Sequence, residues 1–541
     1  MLKKGLELLF QQITKILLAL EYQSIDSLNM FKIIFSITSI LFLFSCSSNK
    51  DSQILESSDF DFCSSIHRDS SISLSKKLNS LSDSMNKKTG VYVLEDGDGS
   101  MVARAWLSEY AEKTIDIQYF IFTADNVGLI AADYLVRAAD RGVKVRIIVD
   151  DIMVEADEQK LLTLDSHENI SIKIYNPGTN VGKTIGDKLR NFSTNFRGAN
   201  QRMHNKTFTV DGKVVITGGR NIADEYFDYD HEYNFRDRDV LILGGVTKKI
   251  QESFETFWNS NYVAEVKSLI DTTNYNYTQA NRFDNLHQYA CDSNNFWPQV
   301  REKIKHIPEA FDMIQSTGKL QWVDNVEFIS DLPGKNDGSK GLDGGGITTF
   351  QLIKLVSQAQ DSIIIQSPYL ITTNLGKQLF RDAVKRGVKI KILTNSLAST
   401  DNLQAFSGYQ RDRKELLKTG VRIFEFKPDA KIRFEIMTGA LQKKMNHTPI
   451  FGLHAKSMVI DGKTTVIGTF NLDPRSANLN TECITVIHSD KIAKEVQQEM
   501  LIEIKPENAW ETTLTFNPDS KSSIKKNIKT QVMKIVPKGI L

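Results

Sequence analysis

The pattern His-x-Lys-x-x-x-x-Asp occurs twice in this chain, each time between the same kinds of neighbours. The first copy reads His204-Asn-Lys206-Thr-Phe-Thr-Val-Asp211 and leads into Gly218-Gly219-Arg220-Asn221. The second reads His454-Ala-Lys456-Ser-Met-Val-Ile-Asp461 and leads into Gly468-Thr469-Phe470-Asn471. Other landmarks keep nearly the same spacing. Gln118 and Gln366 lie 248 residues apart, Arg141 and Arg386 lie 245 apart, and the two histidines lie 250 apart. Register held over three landmarks marks an internal duplication. The chain must therefore fold as two equivalent halves.

Each half has the same α/β grammar. Residues 114–120 alternate like a strand, 128–139 read as a helix, and 141–149 are punctuated by Gly142 before a buried strand. Residues 362–366, 376–384 and 386–393 repeat that order. A chain of 541 residues and 61.2 kDa is long enough for two such bodies. The expected divisions are an N-terminal signal and lipid-anchor region over 1–46, then a flexible tether over 47–89. The first half follows over 90–265, then a polar, Asn-rich connecting insertion over 266–340 with a helix at 299–307. The second half covers 341–510, and a basic tail ends the chain over 511–541.

The motif predicts its own geometry. Residues 203–210 alternate as a strand, so His204 and Lys206 project from one face and reach one ligand. Asp211-Gly212-Lys213 is a hairpin turn before the return strand 214–218, and Asp461-Gly462-Lys463 repeats it. Each Asp starts a tight turn behind the site, fixing the hairpin or pairing with a cation. Asn221 and Asn471 can come back to the site as hydrogen-bond donors.

Those residue types suit a phosphodiester. Its cleavage builds charge on the equatorial oxygens, which Lys206, Lys456, Asn221 and Asn471 can stabilise. One imidazole can attack phosphorus while a second protonates the leaving alcohol. The lysines take the part that divalent ions play elsewhere, so neither a metal nor a cofactor is expected. The other histidines (His67, His167, His231, His287, His306, His447 and His488) stand in no such repeat and read as packing or surface residues.

Composition narrows the partners. A net charge of +1 offers no broad basic field, which argues against a nucleic-acid partner. No protein partner is legible. The cysteines, Cys46, Cys63, Cys291 and Cys483, show neither CxxC pairing nor zinc-ligand spacing, so no disulfide framework is predicted. From Met30 the chain runs through Lys32 into an apolar stretch ending at Phe44, then Ser45-Cys46-Ser47. That is the form of a secretory signal, and the stretch falls short of the roughly 20 residues a bilayer span needs. Leu43-Phe44-Ser45-Cys46 resembles a lipobox, which would make Cys46 the lipidated N-terminus. In the tail, Lys521, Lys525, Lys526, Lys529, Lys534 and Lys538 follow the last acidic residue, Asp519, and suit a solvated tail or one touching anionic lipid.

Taken together, the two His-Lys-Asp motifs resemble those of the phospholipase D superfamily, and over about residues 90–510 the chain is similar to the bacterial C-type cardiolipin synthases. The supporting stretches are 90–97, Ile117-Gln118-Tyr119-Phe120, Arg202-Met-His-Asn-Lys206, 218–227, Phe257-Trp-Asn-Ser260 and 470–476. The resemblance implies two α/β/α sandwich halves sharing one active site at their interface. It implies a catalytic set of His204, Lys206, Asp211, His454, Lys456 and Asp461, with His204 as the nucleophile that becomes phosphorylated and His454 as the acid, then base. It also implies an acidic residue orienting each histidine. Glu482 fits in the second half. In the first, Glu232 has the matching count and Asp239 the matching place before a strand, with Asp239 favoured.

The activity so implied is a membrane-associated phosphatidyltransferase. It would make cardiolipin from phosphatidylglycerol and a second phospholipid, with phosphatidylethanolamine a candidate donor. Phospholipase D hydrolysis to phosphatidic acid needs the same residues, and a nuclease of the same superfamily is a more distant reading. The implied location is a bacterial cell envelope, anchored as a lipoprotein facing the periplasm or exterior.

Overall fold

The computed structural model describes residues 62–66, 73–154, 158–178, 180–183, 198, 200–335, 342–437 and 448–541. Met30, Cys46, His67 and His447 lie outside the described residues.

The first half supplies β1 (Thr89–Leu94), β2 (Thr114–Tyr119), β3 (Lys144–Asp150), β4 (Ile170–Tyr175), β5 (Thr207–Val210), β6 (Val214–Gly218), β7 (Tyr233–Arg236), β8 (Asp239–Gly244), β9 (Val263–Glu265) and β10 (Gln321–Val323). The second supplies β11 (Val326–Ser330), β12 (Ser362–Gln366), β13 (Lys389–Asn395), β14 (Arg422–Phe426), β15 (Ile450–Leu453), β16 (Ser457–Ile460), β17 (Thr464–Gly468), β18 (Cys483–His488) and β19 (Ala509–Thr512). Among the described residues, the strand orders are β10-β1-β8-β6-β5-β2-β3-β4-β9 and β11-β18-β17-β16-β12-β13-β14-β19. Laid side by side, these orders match strand for strand from β1 and β11 onward. The duplication is one of fold, as the repeated sequence requires.

In each sheet a parallel trio carries the crossover helices and an antiparallel trio carries the motif. β2, β3 and β4 run parallel, as do β12, β13 and β14. Such connections need a crossover, supplied between the first two strands by the helices Asn126–Asp140 and Asn374–Lys385. The motif hairpins β5–β6 and β16–β17 pair with the same register, Phe208 opposite Ile216 and Met458 opposite Val466. Asp211, Gly212, Asp461 and Gly462 all have φ between 52° and 64°, the paired positive φ of a type I′ turn.

Both faces of the central strands are buried, which is why they read as unbroken apolar runs. On β8, Leu241 and Leu243 join the first half's own core, whereas Val240 and Ile242 meet Val459, Ile467 and Ile487 of the other sheet. Each such side chain contributes on the order of 1.5–3 kcal/mol by leaving water. A parallel ribbon of β7 and β15 adds backbone hydrogen bonds from one half to the other. The halves are one folded body.

Three expected boundaries differ from what is observed. The tether is not free over its whole length, because Phe62, Leu74 and Leu78 are buried in the first half's core. A disulfide, Cys63–Cys291, ties that segment down, although the cysteine spacing predicted no disulfide. The polar insertion belongs to the first half. Its helices Pro298–Lys305 and Ala310–Ser316, with the turn between them, bury Val300, Ile304, Ile307 and Phe311, and Phe311 stacks on Trp106. Its last residues then form β10 and β11, one in each sheet. Residues 509–541 are likewise structured: β19 closes the second sheet and the helix Ile524–Met533 packs on the helix Leu403–Leu417. No helix among the described residues is long and apolar enough to cross a membrane.

Candidate active site

The strand expected over 203–210 begins only at Thr207, and its partner after His454 begins only at Ser457. The physical reason is a change of hydrogen-bond partner. His204 donates its backbone N–H to the carbonyl of Thr481, 2.9 Å away, and Thr481 donates back to Arg202, also at 2.9 Å. His454 donates to the carbonyl of Arg236 at 2.8 Å. Each histidine is therefore held by the opposite half before its chain enters its own sheet. This exchange brings the two motifs together. His204, Lys206, His454 and Lys456 are all buried, none more than 6% exposed.

Each imidazole is oriented by a carboxylate from the other half. Glu482 Oε2 lies 2.9 Å from His204 Nδ1, and Asp237 Oδ2 lies 2.6 Å from His454 Nδ1. A carboxylate on Nδ1 selects the tautomer with its proton there and leaves Nε2 to do chemistry. Glu482 is braced in turn by the Thr469 hydroxyl, and its N–H donates to Asp331 at 3.1 Å.

Asp237 corrects the expected orienting acids of the first half. Asp239 instead bonds Ser100 Oγ at 2.7 Å and Arg104 at 3.0 Å, fastening the sheet to the helix Gly97–Tyr110. Glu232 is exposed on the surface. The counting missed because the repeats change length between motif and acid. Gly218 pairs with Asp239 and Gly468 with Ile484, so residue 237 is the register partner of Glu482. Glu482, expected to serve its own half, serves the opposite one.

Asp211 and Asp461 also stand apart from the reacting groups. Asp211 accepts from the backbone N–H groups of Glu112, Lys113 and Thr114 at 2.7–3.0 Å. Asp461 accepts likewise from Gln360, Asp361 and Ser362. Each clamps the start of the neighbouring strand at the turn end of the hairpin, so neither is a catalytic group. The sequence reading of a residue that fixes the hairpin region fits this place, and pairing with a cation does not.

Asn221 and Asn471 are buried close to the motifs. The Asn221 side-chain oxygen accepts from Ile121 N–H at 3.1 Å, and Asn471 Oδ1 has no hydrogen-bond partner. Aromatic rings complete the walls. Phe120 stands edge-on to His204 at 5.1 Å, and Tyr226 and Phe235 flank His454 at 5.1 and 4.7 Å.

Burial sets the charge states. It pushes His204 down to about 4, against the opposing pull of Glu482. Burial, then Lys456, pushes His454 down to about 3. Burial and the nearby Lys456 lower Lys206 to about 7, and burial lowers Lys456 to about 8. Burial works against both carboxylates, but the histidines beside them hold Asp237 and Glu482 below the usual range. Near neutrality the site thus holds neutral imidazoles, ionised carboxylates and two lysines poised to gain or lose a proton. A phosphodiester anion between those lysines would keep both charged.

The strand end that carries Asp237 is held by charges the sequence reading did not single out. Asp237 lies between Arg236 and Arg238, both buried and both paired with Glu95, at 2.5 and 2.8 Å. Arg236 also meets Glu503 at 2.7 Å, and Arg238 meets Gln366 Oε1 at 2.5 Å. The alternating Arg-Asp-Arg run was a readable signal for a buried charged strand end.

A family model described as "Cardiolipin synthase, PLD-like domain" matches residues 108–258 and again 352–502. Cardiolipin synthase C of Escherichia coli is 34% identical over 427 residues, covering 79% of this chain and 86% of that protein. An uncharacterized protein of Helicobacter pylori is 34% identical over 417 residues, 76% of this chain and 78% of its own length. Among solved structures, the phosphatidylserine synthase of Haemophilus influenzae is similar with a TM-score of 0.53 at 14% identity, covering 86% of this chain and all of that one. That last likeness concerns the fold alone.

Proposed function

The chain belongs to the phospholipase D-like cardiolipin synthase family, and from that premise we propose that it is a phosphatidyltransferase forming cardiolipin from phosphatidylglycerol and a second phospholipid. The observation that carries the reading is the pair of buried His-Lys half-sites, each imidazole oriented by a carboxylate from the other half. One half-site can attack phosphorus and the other can serve the leaving oxygen. Neither half supplies both.

His204 is the nucleophile in this reading. Lys206 donates to the carbonyl of His204 and not to its ring, whereas Lys456 Nζ lies 2.8 and 3.0 Å from the ring nitrogens of His454. Nε2 of His204 therefore keeps its lone pair for phosphorus. In the first step the Nε2–P bond forms as the P–O bond to the head-group alcohol breaks, and His454, protonated on Nε2 as well when the bound phosphodiester and Asp237 stabilise its imidazolium, gives that oxygen the Nε2 proton. In the second, His454 takes a proton from the glycerol hydroxyl of phosphatidylglycerol, whose oxygen displaces His204. Lys206 and Lys456 offset the charge on the phosphoryl oxygens throughout. Asn221 and Asn471 support the same oxygens.

Phospholipid substrates and a place at a bacterial envelope membrane go with this activity. The Cys63–Cys291 disulfide supports a compartment outside the cytoplasm, where such bonds persist. Lipidation at Cys46 is the proposed means of anchoring.

The deciding experiment is a product assay by lipid mass spectrometry. The enzyme receives labelled phosphatidylglycerol vesicles with and without phosphatidylethanolamine, beside a His204→Ala control. Labelled cardiolipin from the active enzyme alone is the expected result, and dependence on phosphatidylethanolamine names the donor. Phosphatidic acid as the sole product would overturn the transferase reading in favour of hydrolysis.

A further inference from the structure

The helix Ile524–Met533 is turned inside out for a soluble protein. Its buried residue is Thr530, while Ile524, Ile528 and Val532 are 79%, 60% and 56% exposed. Spaced by four, they form one stripe, which Ile535 continues just beyond the helix. Leu514 and Phe516 are exposed earlier in the same segment. Among the described residues, six of the fourteen exposed large hydrophobic side chains fall within residues 514–535. Scattered apolar residues need no explanation, but a concentration of this kind marks an interaction surface.

The helix does not turn this face outward through loose attachment. Lys526 Nζ donates to the carbonyls of Ala398 and Thr400, both at 3.1 Å. Arg411 donates to the carbonyls of Lys534 and Val536 at 3.0 and 2.8 Å. Asp519 binds Arg413, and Val536 and Leu541 pack with Ile371 and Ala405. The inner side of this segment is thus anchored by polar contacts and by the packing of Val536 and Leu541, and the isoleucines stay outside.

We propose that this helix is an interfacial docking element that lays its isoleucine stripe into an anionic phospholipid bilayer. Charge complementarity selects that occupant. Lys521, Lys525 and Lys529 are exposed, and no acidic residue follows Asp519. An apolar stripe edged by lysines is the pattern of a helix lying in the headgroup layer, since the stripe enters the acyl boundary while ammonium groups meet lipid phosphates. Position gives the contact a purpose, and here the inference rests on the lipid substrate proposed above. The loop 396–402 that Lys526 holds also carries Asp401, which accepts from Tyr369 at 2.7 Å and lies within electrostatic range of Lys456. The helix is thus joined to the surroundings of the active-site lysine through the loop it holds.

The test uses the full chain with an environment-sensitive fluorescent residue built in at position 528. A second protein carries the same probe at position 248, whose lysine is exposed on the helix that begins beside the first hairpin turn. Vesicles contain phosphatidylglycerol with phosphatidylcholine, or phosphatidylcholine alone. On the anionic vesicles, emission at position 528 shifts to the blue and is quenched by nitroxide-labelled lipid, while emission at 248 does not change. Combining Lys525→Glu with Lys529→Glu raises the lipid needed for half the shift by roughly tenfold or more. These positions are exposed, and circular dichroism checks that the variant is folded.

No shift at 528, or equal shifts at both positions, overturns the proposal. So does a shift that appears without lipid and grows with protein concentration, which would mean a second copy covers the stripe. Binding is read without turnover and is expected unchanged in His204→Ala. Docking without cardiolipin formation would fault the functional reading alone, and cardiolipin formation without the shift would fault the helix alone.

Discussion

At the level of single residues, the motif histidines and lysines were legible because the chain writes them twice, whereas Asp237 was not. Its equivalence to Glu482 appears only when Gly218–Asp239 and Gly468–Ile484 are seen as matched pairs. The distinction between Asp237 and its neighbours is testable by kinetics. Asp237→Asn removes the charge on His454 Nδ1 and is expected to lower kcat by about two to four orders of magnitude, with a melting temperature near that of the parent. Glu232→Gln is expected to leave the rate unchanged. Full activity in Asp237→Asn would remove it from the site.

Acid sensitivity follows from the same burial. His204 and His454 are pushed down to about 4 and about 3, while in the unfolded chain they titrate near the ordinary 6.5. Between those values the unfolded chain holds more protons than the folded one, so stability drops as pH falls from about 6.5 toward 4. Below the folded values this contribution levels off. Urea midpoints across that window should fall in the parent and fall less steeply in a His204→Gln, His454→Gln double variant. Equal slopes would show that the buried imidazoles do not govern the loss.

At the level of elements, the strands β2, β3, β12 and β13 and both hairpins were readable, since each is a local alternation or apolar run closed by glycine. The insertion and the tail were not, because their polar composition hides a few decisive residues. The helix expected at 299–307 is present as Pro298–Lys305, but its Asn-rich surroundings hide that Val300, Ile304, Ile307 and Phe311, spread over that helix, the turn after it and the helix Ala310–Ser316, enter the first half's core. Asp211 and Asp461 show the reverse error, a motif residue whose work is architectural. Asp211→Asn replaces one of two acceptor oxygens facing three backbone N–H groups. It should cost about 1–3 kcal/mol of stability, seen as an earlier thermal transition, while the folded fraction keeps its kcat. A large fall in kcat at unchanged stability would return Asp211 to the catalytic set.

At the level of the whole molecule, the two-half design was legible from the repeat, but the exchange between halves was not, since nothing local records it. Glu482 serves His204, Asp237 serves His454, and the backbones of Thr481 and Arg236 hold the opposite histidines. Neither half can therefore orient its own imidazole. The halves meet at Asp324 and Asn325, two exposed residues between β10 and β11, where a chain break severs no strand pairing. Fragments 1–324 and 325–541 produced together should co-purify, because the shared core of Val240, Ile242, Val459 and Ile467 and the β7–β15 ribbon remain to be buried. Lipid product should form from the pair and from neither fragment alone. Turnover by the isolated second fragment would mean that Lys456 and His454 suffice without Asp237, and the crossed arrangement would lose its catalytic meaning.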